Sequence, residues 1–303
     1  MTLQQGVATT AVTQTRPAGQ RPPAGPPRQP RGRVLRGVLS GSATLLWTVV
    51  VIVPVYWVVV TSLRGRTEFL KSNPLSLPSP LTWANYHMVL TGGFVTYLTN
   101  SVVVTLVAAA LTITASFMAA FLIVRRGSRW TRLYFRMFLL GLAIPLQAVI
   151  IPVYLLIIRM NLYDSLLAIM LPSAAFAVPV TVMILVSFLR DVPVSLFEAM
   201  VIDGAGEWRT LVSLALPLAR PALVTVAVYD VLQVWNGFLF PLILTQSPGK
   251  AVLPLALMNY QGEYGINVPA TMAAVVLSTL PMAAVYILAR RQLIAGLTAG
   301  FSK

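Results

Sequence analysis

The sequence predicts an all-α, polytopic membrane protein with six transmembrane helices, and three observations lead there. Of 303 residues, 57% are hydrophobic and only 10% charged, against about 25% charged in an ordinary soluble domain. The charges are also widely spaced. Residues 37–63, 137–158, 165–189 and 264–289 carry none, 72–124 holds only His87, and 221–249 only Asp230. Finally, lysine and arginine are distributed unevenly between alternate connecting segments, as the positive-inside pattern requires.

In chain order, residues 1–36 are rich in Pro, Gly, Gln, Thr and Arg and too poor in apolar side chains to offset chain entropy, so they read as a disordered basic tail. The tail is not a secretory signal, because the uncharged segment that follows it is too long. A hydrocarbon core takes about 20 helical residues, which places spans near 43–63, 97–124, 137–158, 166–189, 217–244 and 269–289 of a membrane domain covering 37–303. Internal prolines (Pro54, Pro145, Pro152, Pro172, Pro179, Pro241, Pro281) are tolerated where neighbouring helices satisfy the freed backbone groups. With both termini inside, 17 of the 22 basic residues fall on the inner side, leaving Arg64, Arg66, Lys71, Arg159 and Lys250 outside. The net charge of +14 therefore needs only membrane lipid, and no nucleic acid, to account for it.

Several classes of chemistry are excluded. There is no cysteine, and His87 is the single histidine, so thiolate and HExxH metal sites cannot form. Gly249-Lys250-Ala251 is the nearest approach to a phosphate loop, and it lacks the hydroxyl that holds magnesium. No catalytic residue, metal ligand or bound cofactor is expected.

The segment 190–216, between the fourth and fifth spans, holds Asp191, Glu198, Asp203 and Glu207, four of the eight acids. Ser195 and Glu198 stand in the S-x-x-E relation of a capping box. Leu196, Phe197, Met200 and Val201 fall on one helical face, and Gly204 suits the left-handed turn that ends a helix. Only Arg209 is near enough in sequence to balance Glu198, Asp203 and Glu207, whereas helices lying on lipid favour lysine and arginine. The expected unit is a cytoplasmic knob fitted to a groove on another protein.

Glu198-Ala199-Met200, Asp203-Gly204-Ala205 and Leu214-x-Leu216-Pro217 resemble the EAA loop of permease subunits of binding-protein-dependent ABC importers, with Met200 replacing the usual second alanine. Further stretches resemble the carbohydrate-importer, MalG-like branch: Pro54-x-x-Trp57, Thr61-Ser62-Leu63, Thr82-x-x-Asn85-Tyr86, Asn100-Ser101, Ile144-Pro145-x-Gln147, Trp235-Asn236 and Gly296-Leu297-x-x-Gly300. The likeness runs from about residue 45 to the C-terminus.

The resemblance implies the type I importer permease fold in a bacterial inner (plasma) membrane, with N- and C-termini cytoplasmic. It also implies a second, MalF-like permease subunit, two ATP-binding cassette subunits carrying ATP and Mg, an extracellular or periplasmic solute-binding protein, and a carbohydrate as cargo. Glu198, Ala199, Met200, Asp203, Gly204 and Ala205 would couple to the ATPase, and Pro217 would start the fifth span. Gly262, Glu263, Tyr264 and Gly265, within the segment 245–268, would face the binding protein.

Candidates for the translocation pathway are Gln147, Asp230, Trp235 and Asn236. Asp230 stands ten residues into the fifth span, and an intramembrane acid is a functional candidate by default. The family often has an acid just after Trp-Asn, where this chain has Gly237. Positions 230 and 237 are two turns apart on one helical face, so the acid has moved along one pathway or, alternatively, bonds a neighbouring helix through Gln147 or Gln233. Rival readings are a permease for a non-sugar solute, a proton-coupled carrier using Asp230, and a membrane scaffold that only recruits a partner.

Overall fold

The computed structural model describes residues 32–262 and 265–301, and these are predominantly helical, with a two-residue hairpin near the end. Two compact units divide between Ile52 and Val53, within helix α1 (Gly32–Ser62). In the first unit, the Thr44 and Thr48 hydroxyls donate to carbonyls four residues back, a satisfied arrangement for hydroxyls in an apolar helix. The expected tail lies outside the described residues as far as Arg31, but Gly32–Arg36 are helical. Arginine and leucine are good helix formers, and a nucleated helix extends through them at little cost.

In the second unit, α1 continues to Ser62, followed by α2 (Arg66–Phe69) and α3 (Ala84–Val89). Two of the family-like stretches lock together here. Asn85 Nδ2 donates to the carbonyls of Ser62 (2.9 Å) and Arg64 (2.7 Å), Thr82 N–H to that of Leu63 (2.9 Å), and the Ser62 and Tyr86 hydroxyls lie 2.7 Å apart. Helix α4 (Val95–Arg126) and helix α7 (Leu166–Arg190) form the central pair. Ala108, Thr112, Ser116 and Ala120 recur every fourth residue on α4 and are all buried, the small stripe that lets two membrane helices approach closely. Thr112 and Ser116 donate across it to the carbonyls of Ala174 (3.2 Å) and Val178 (3.5 Å).

Between them, α5 (Arg129–Gly141) and α6 (Leu146–Arg159) diverge by 105°, so the third expected span, 137–158, is bent. Pro145 forces Ile144 out of helical geometry. At Gly141 the ring of Pro179 approaches so closely that a Cβ would lie 3.2 Å from it.

After α7 come α8 (Val194–Ile202), α9 (Glu207–Thr210), α10 (Leu216–Leu218) and α11 (Arg220–Trp235), with a 77° bend before α11. Pro217, expected to start the fifth span, stands before that bend. It lies in α10, and Pro221 opens α11, because proline fits the first turn of a helix, where its missing N–H has no partner to lose. Helices α12 (Leu239–Leu244) and α13 (Leu253–Ala256), the strands β1 (Gln261–Gly262) and β2 (Gly265–Ile266), and α14 (Val268–Phe301) complete the chain. Among the described residues, four helices are long and apolar enough to cross a membrane, and the count is six if each bent pair is one span.

Candidate functional site

Helix α8 is held by one side chain. Phe197 is 5% exposed and enters the core between α4 and α7 with Phe121, Leu185 and Leu189, its ring centroid 6.5 Å from that of Phe121 and 5.9 Å from Arg125 Cζ. Val194, Leu196, Glu198, Val201 and Ile202 are exposed, Ile202 at 86%. Only Phe197 of the expected apolar face is fully buried, and α8 presents apolar side chains around Glu198.

The expected capping box does not form. The helix begins at Val194 with Pro193 as N-cap and has no side-chain cap bond, because the φ of −55° at Pro193 already directs the chain into helix and puts Ser195 inside the first turn. Gly204 has φ +71°, the left-handed turn that allows the chain to reverse into α9. The acids are not left to Arg209 alone, since Arg126 Nη2 at the end of α4 lies 3.1 Å from Glu207 Oε1. Both side chains are more than half exposed, so this pair orients the knob more than it stabilises it.

The four expected pathway residues do not converge. Gln147 is exposed at the start of α6. Trp235 is buried against Val89, Phe94 and Ala273, while Asn236 is exposed and bonds back to the Leu232 carbonyl at 2.7 Å. Asp230 is fully buried at the interface of α7 and α11, where Thr181 Oγ1 donates to its Oδ1 (2.9 Å) and Oδ2 (3.2 Å). Its partner is thus a threonine on α7 and neither Gln147 nor Gln233. Helix α11 ends at Trp235, so Gly237 shares no helical face with Asp230. Gly237 borders instead a cleft of about 150 Å³ between α7 and α11, with Ser173, Phe176, Tyr229, Gln233 and Phe240. Gln233 Nε2 donates to the Tyr229 hydroxyl at 3.3 Å. Sequence reading missed this pair, although two polar residues at i and i+4 in an apolar span were its signal.

Of the loop expected to face a binding protein, Gly262 and Gly265 pair in the hairpin, and Glu263 and Tyr264 lie outside the described residues. The preceding segment is pinned to α4 by Asn100 and Ser101. Asn100 Nδ2 donates to the carbonyls of Gly249 (3.0 Å) and Ala251 (2.9 Å), and Leu253 N–H to Ser101 Oγ (2.8 Å). Asp164, at the turn before α7, accepts from the N–H groups of Gln246 and Ser247, both at 2.9 Å, and from the Ser247 hydroxyl. That hydroxyl first, and then the two amides, hold the Asp164 carboxyl below the usual carboxylate range.

Residues 112–297 match the family model described as the inner membrane component of binding-protein-dependent transport systems. The chain is 34% identical to the diacetylchitobiose uptake system permease protein NgcG of Streptomyces coelicolor, over 86% of this chain and 87% of that one. It is 30% identical to the trehalose/maltose transport system permease protein MalG of Thermococcus litoralis, over 90% and 99% respectively. A chain in the crystal structure of a bacterial ABC transporter that imports the acidic polysaccharide alginate has the same fold, with a TM-score of 0.78 at 18% identity, covering 88% of this chain and 99% of that one. With the C-terminal part of α4 and all of α5 to α13 inside the matched region, the chain belongs to the family of inner membrane components of binding-protein-dependent transport systems.

Proposed function

We propose that this permease forms half of a translocation pathway for a carbohydrate and that α8 receives the motion of a separate ATPase. The observation that carries the coupling role is the construction of α8: one buried phenylalanine ties it to the two central helices, while Glu198 and four apolar side chains face outward. A push on that outer surface is transmitted through Phe197 to α4 and α7. Ala199, Met200, Asp203, Gly204 and Ala205 shape the same knob. ATP and Mg reside on two nucleotide-binding subunits. A second permease chain supplies the other half of the pathway, and a solute-binding protein meets the segment 245–268. The positive-inside distribution of arginine and lysine supports a cytoplasmic location for both termini and for the α8 knob.

The carbohydrate reading draws on the relatives named for diacetylchitobiose and for trehalose/maltose. The cleft beside Gly237 supports it, because Tyr229, Gln233 and Ser173 offer hydroxyl and amide groups beside the aromatic faces of Phe176 and Phe240. Few polar groups within a mostly apolar cleft is the usual composition of a small-molecule site. A proton relay through Asp230 is disfavoured, since that residue is fully buried and bonded to Thr181.

The test is reconstitution of the whole transporter in vesicles, with uptake of a labelled oligosaccharide as readout. Uptake should require ATP and survive a protonophore, and Glu198→Lys should abolish it while a charge-reversed residue in the ATPase groove restores it. Uptake driven by a proton gradient without ATP, or full activity of Glu198→Lys, would overturn the proposal.

A further inference from the structure

The connection from α1 to α3, which contains α2, exposes five large apolar side chains, Leu70, Leu75, Leu77, Leu81 and Trp83, with Leu77 at 75%. Both feet of this loop stand at the end of α1, since Thr82 N–H donates to the Leu63 carbonyl. Its middle turns back along the helix. The Tyr56 hydroxyl donates to the Leu75 carbonyl at 3.1 Å, and Tyr56 precedes Ser62, the last residue of α1, by about 9 Å of helix. Helical side chains lean toward the N-terminus of their helix, so Tyr56 does not rise to meet the loop. The loop descends to Tyr56.

Polar groups within the loop hold that descent. Arg64, fully buried, donates from Nη1 to Ser72 Oγ (3.2 Å), and from Nη2 to Ser76 Oγ (3.1 Å) and the Ser76 carbonyl. Ser76 is thereby tied to the end of α1, while its neighbours Leu75 and Leu77 stay exposed. Pro74, Pro78 and Pro80 have no N–H to satisfy. The N–H groups of Leu75, Ser76 and Ser79 donate to Asn73 Oδ1 (3.0 Å), the Asn73 carbonyl (3.1 Å) and Glu68 Oε1 (2.7 Å). A backbone with few donors, most of them bonded locally, loses little on leaving water.

Residues 37–63 carry no charge and as helix measure about 40 Å, enough to cross a hydrocarbon core of about 30 Å and enter the headgroups on both sides. A point about 9 Å back from the end of such a helix lies near the boundary between headgroups and acyl chains. We propose that the α1–α3 loop is a lipid anchor, with Leu75 and Leu77 dipping into that boundary and the exposed Arg66 and Lys71 level with the lipid phosphates. Trp83 suits the same layer, where amphipathic rings collect. The depth of the tip favours lipid over a soluble partner, which would meet the loop from above its feet. The proposal is independent of the cargo and of α8.

The chain has no cysteine, so single substitutions can place a nitroxide on it. Leu77→Cys and, as the control, Thr67→Cys in α2 are introduced into the complete transporter in vesicles of phosphatidylethanolamine and phosphatidylglycerol, and the signal of the labelled parent complex is subtracted. Both residues are exposed, so neither substitution removes packing. Relaxation by oxygen, which concentrates in lipid, is compared with relaxation by a water-soluble nickel chelate. The label at position 77 should favour oxygen and lie about 5–10 Å below the lipid phosphates, while that at position 67 favours nickel. Leu75→Cys gives a second reading of the tip should Leu77→Cys fail to assemble. A tip label reached by nickel as readily as the one at position 67 would place the loop in water and overturn the anchor. Protection from both reagents would overturn it too, because a partner subunit or the solute-binding protein would then cover these leucines.

Discussion

Thr181 Oγ1 on α7 donates to Asp230 Oδ1 on α11 at 2.9 Å, and neither residue is exposed. A buried carboxylate with one hydroxyl donor is a pair whose halves cannot be removed independently. Thr181→Val leaves the carboxylate without its donor and should lower stability by about 1–3 kcal/mol. Thr181→Val combined with Asp230→Leu removes both polar groups and should recover most of that loss. Thermal unfolding of the purified transporter measures both, and equal destabilisation by the single and double variants would contradict the pairing.

Packing and docking separate on α8. Phe197→Ala removes the ring seated between α4 and α7 and should cost about 3 kcal/mol or more, with transport lost as a consequence. Ile202 is 86% exposed, so Ile202→Ala should leave the melting temperature unchanged and still weaken ATP-driven uptake. The informative comparison is stability against transport in the two variants, and a melting shift in Ile202→Ala would show that this surface is packed within the chain.

The turn after α8 depends on Gly204, at φ +71°. A Cβ there meets nothing within 4 Å, so the cost of Gly204→Ala is backbone strain alone, roughly 1–2 kcal/mol. Gly204→Asn should cost less, because asparagine enters the left-handed region more readily. Ranking the three proteins by denaturation midpoint tests this, and asparagine falling below alanine would exclude strain as the cause.

Asp164 ties the turn before α7 to Gln246 and Ser247. Its carboxyl is held below its ordinary value, so the unfolded chain takes up the proton first as pH falls. The stabilisation is complete above the ordinary carboxylate value, about 3.9, and is lost as pH falls through the lower native one. Asp164→Asn should therefore lower stability above about pH 4 and remove the acid-dependent loss below it. Unfolding midpoints against pH decide the matter.

Asn100 reaches two carbonyls of the segment after α12. In Asn100→Ala those groups lose their partner, and the segment should open without global unfolding. Faster hydrogen exchange at residues 249–253, with α7 unaffected, is the expected result.

Much of the architecture was readable from the chain alone because the cost of a charge in a bilayer is a local property. Wherever some twenty residues lacked one, helix was found, in four places as a helix long enough to span and in two as a pair of shorter helices meeting at a bend, beside Pro145 and just before Pro221. The α8 knob was readable for a similar reason, since Gly204 and the acidic run are adjacent in sequence. Even there the cap was misread, because Pro193 determined where the helix began.

What only tertiary structure decided are the partners of polar groups. Asp230 meets a threonine 49 residues away and Asn100 meets carbonyls some 150 residues away, and no pattern along the chain distinguishes these partners from Gln147 or Gln233. The single anchoring role of Phe197 is of the same kind, four apolar residues sharing a face of which one found a core to enter. Apolar transfer depends on a residue and its neighbours in sequence, whereas a buried hydrogen bond depends on which helix face arrives opposite, and that is settled when the helices pack.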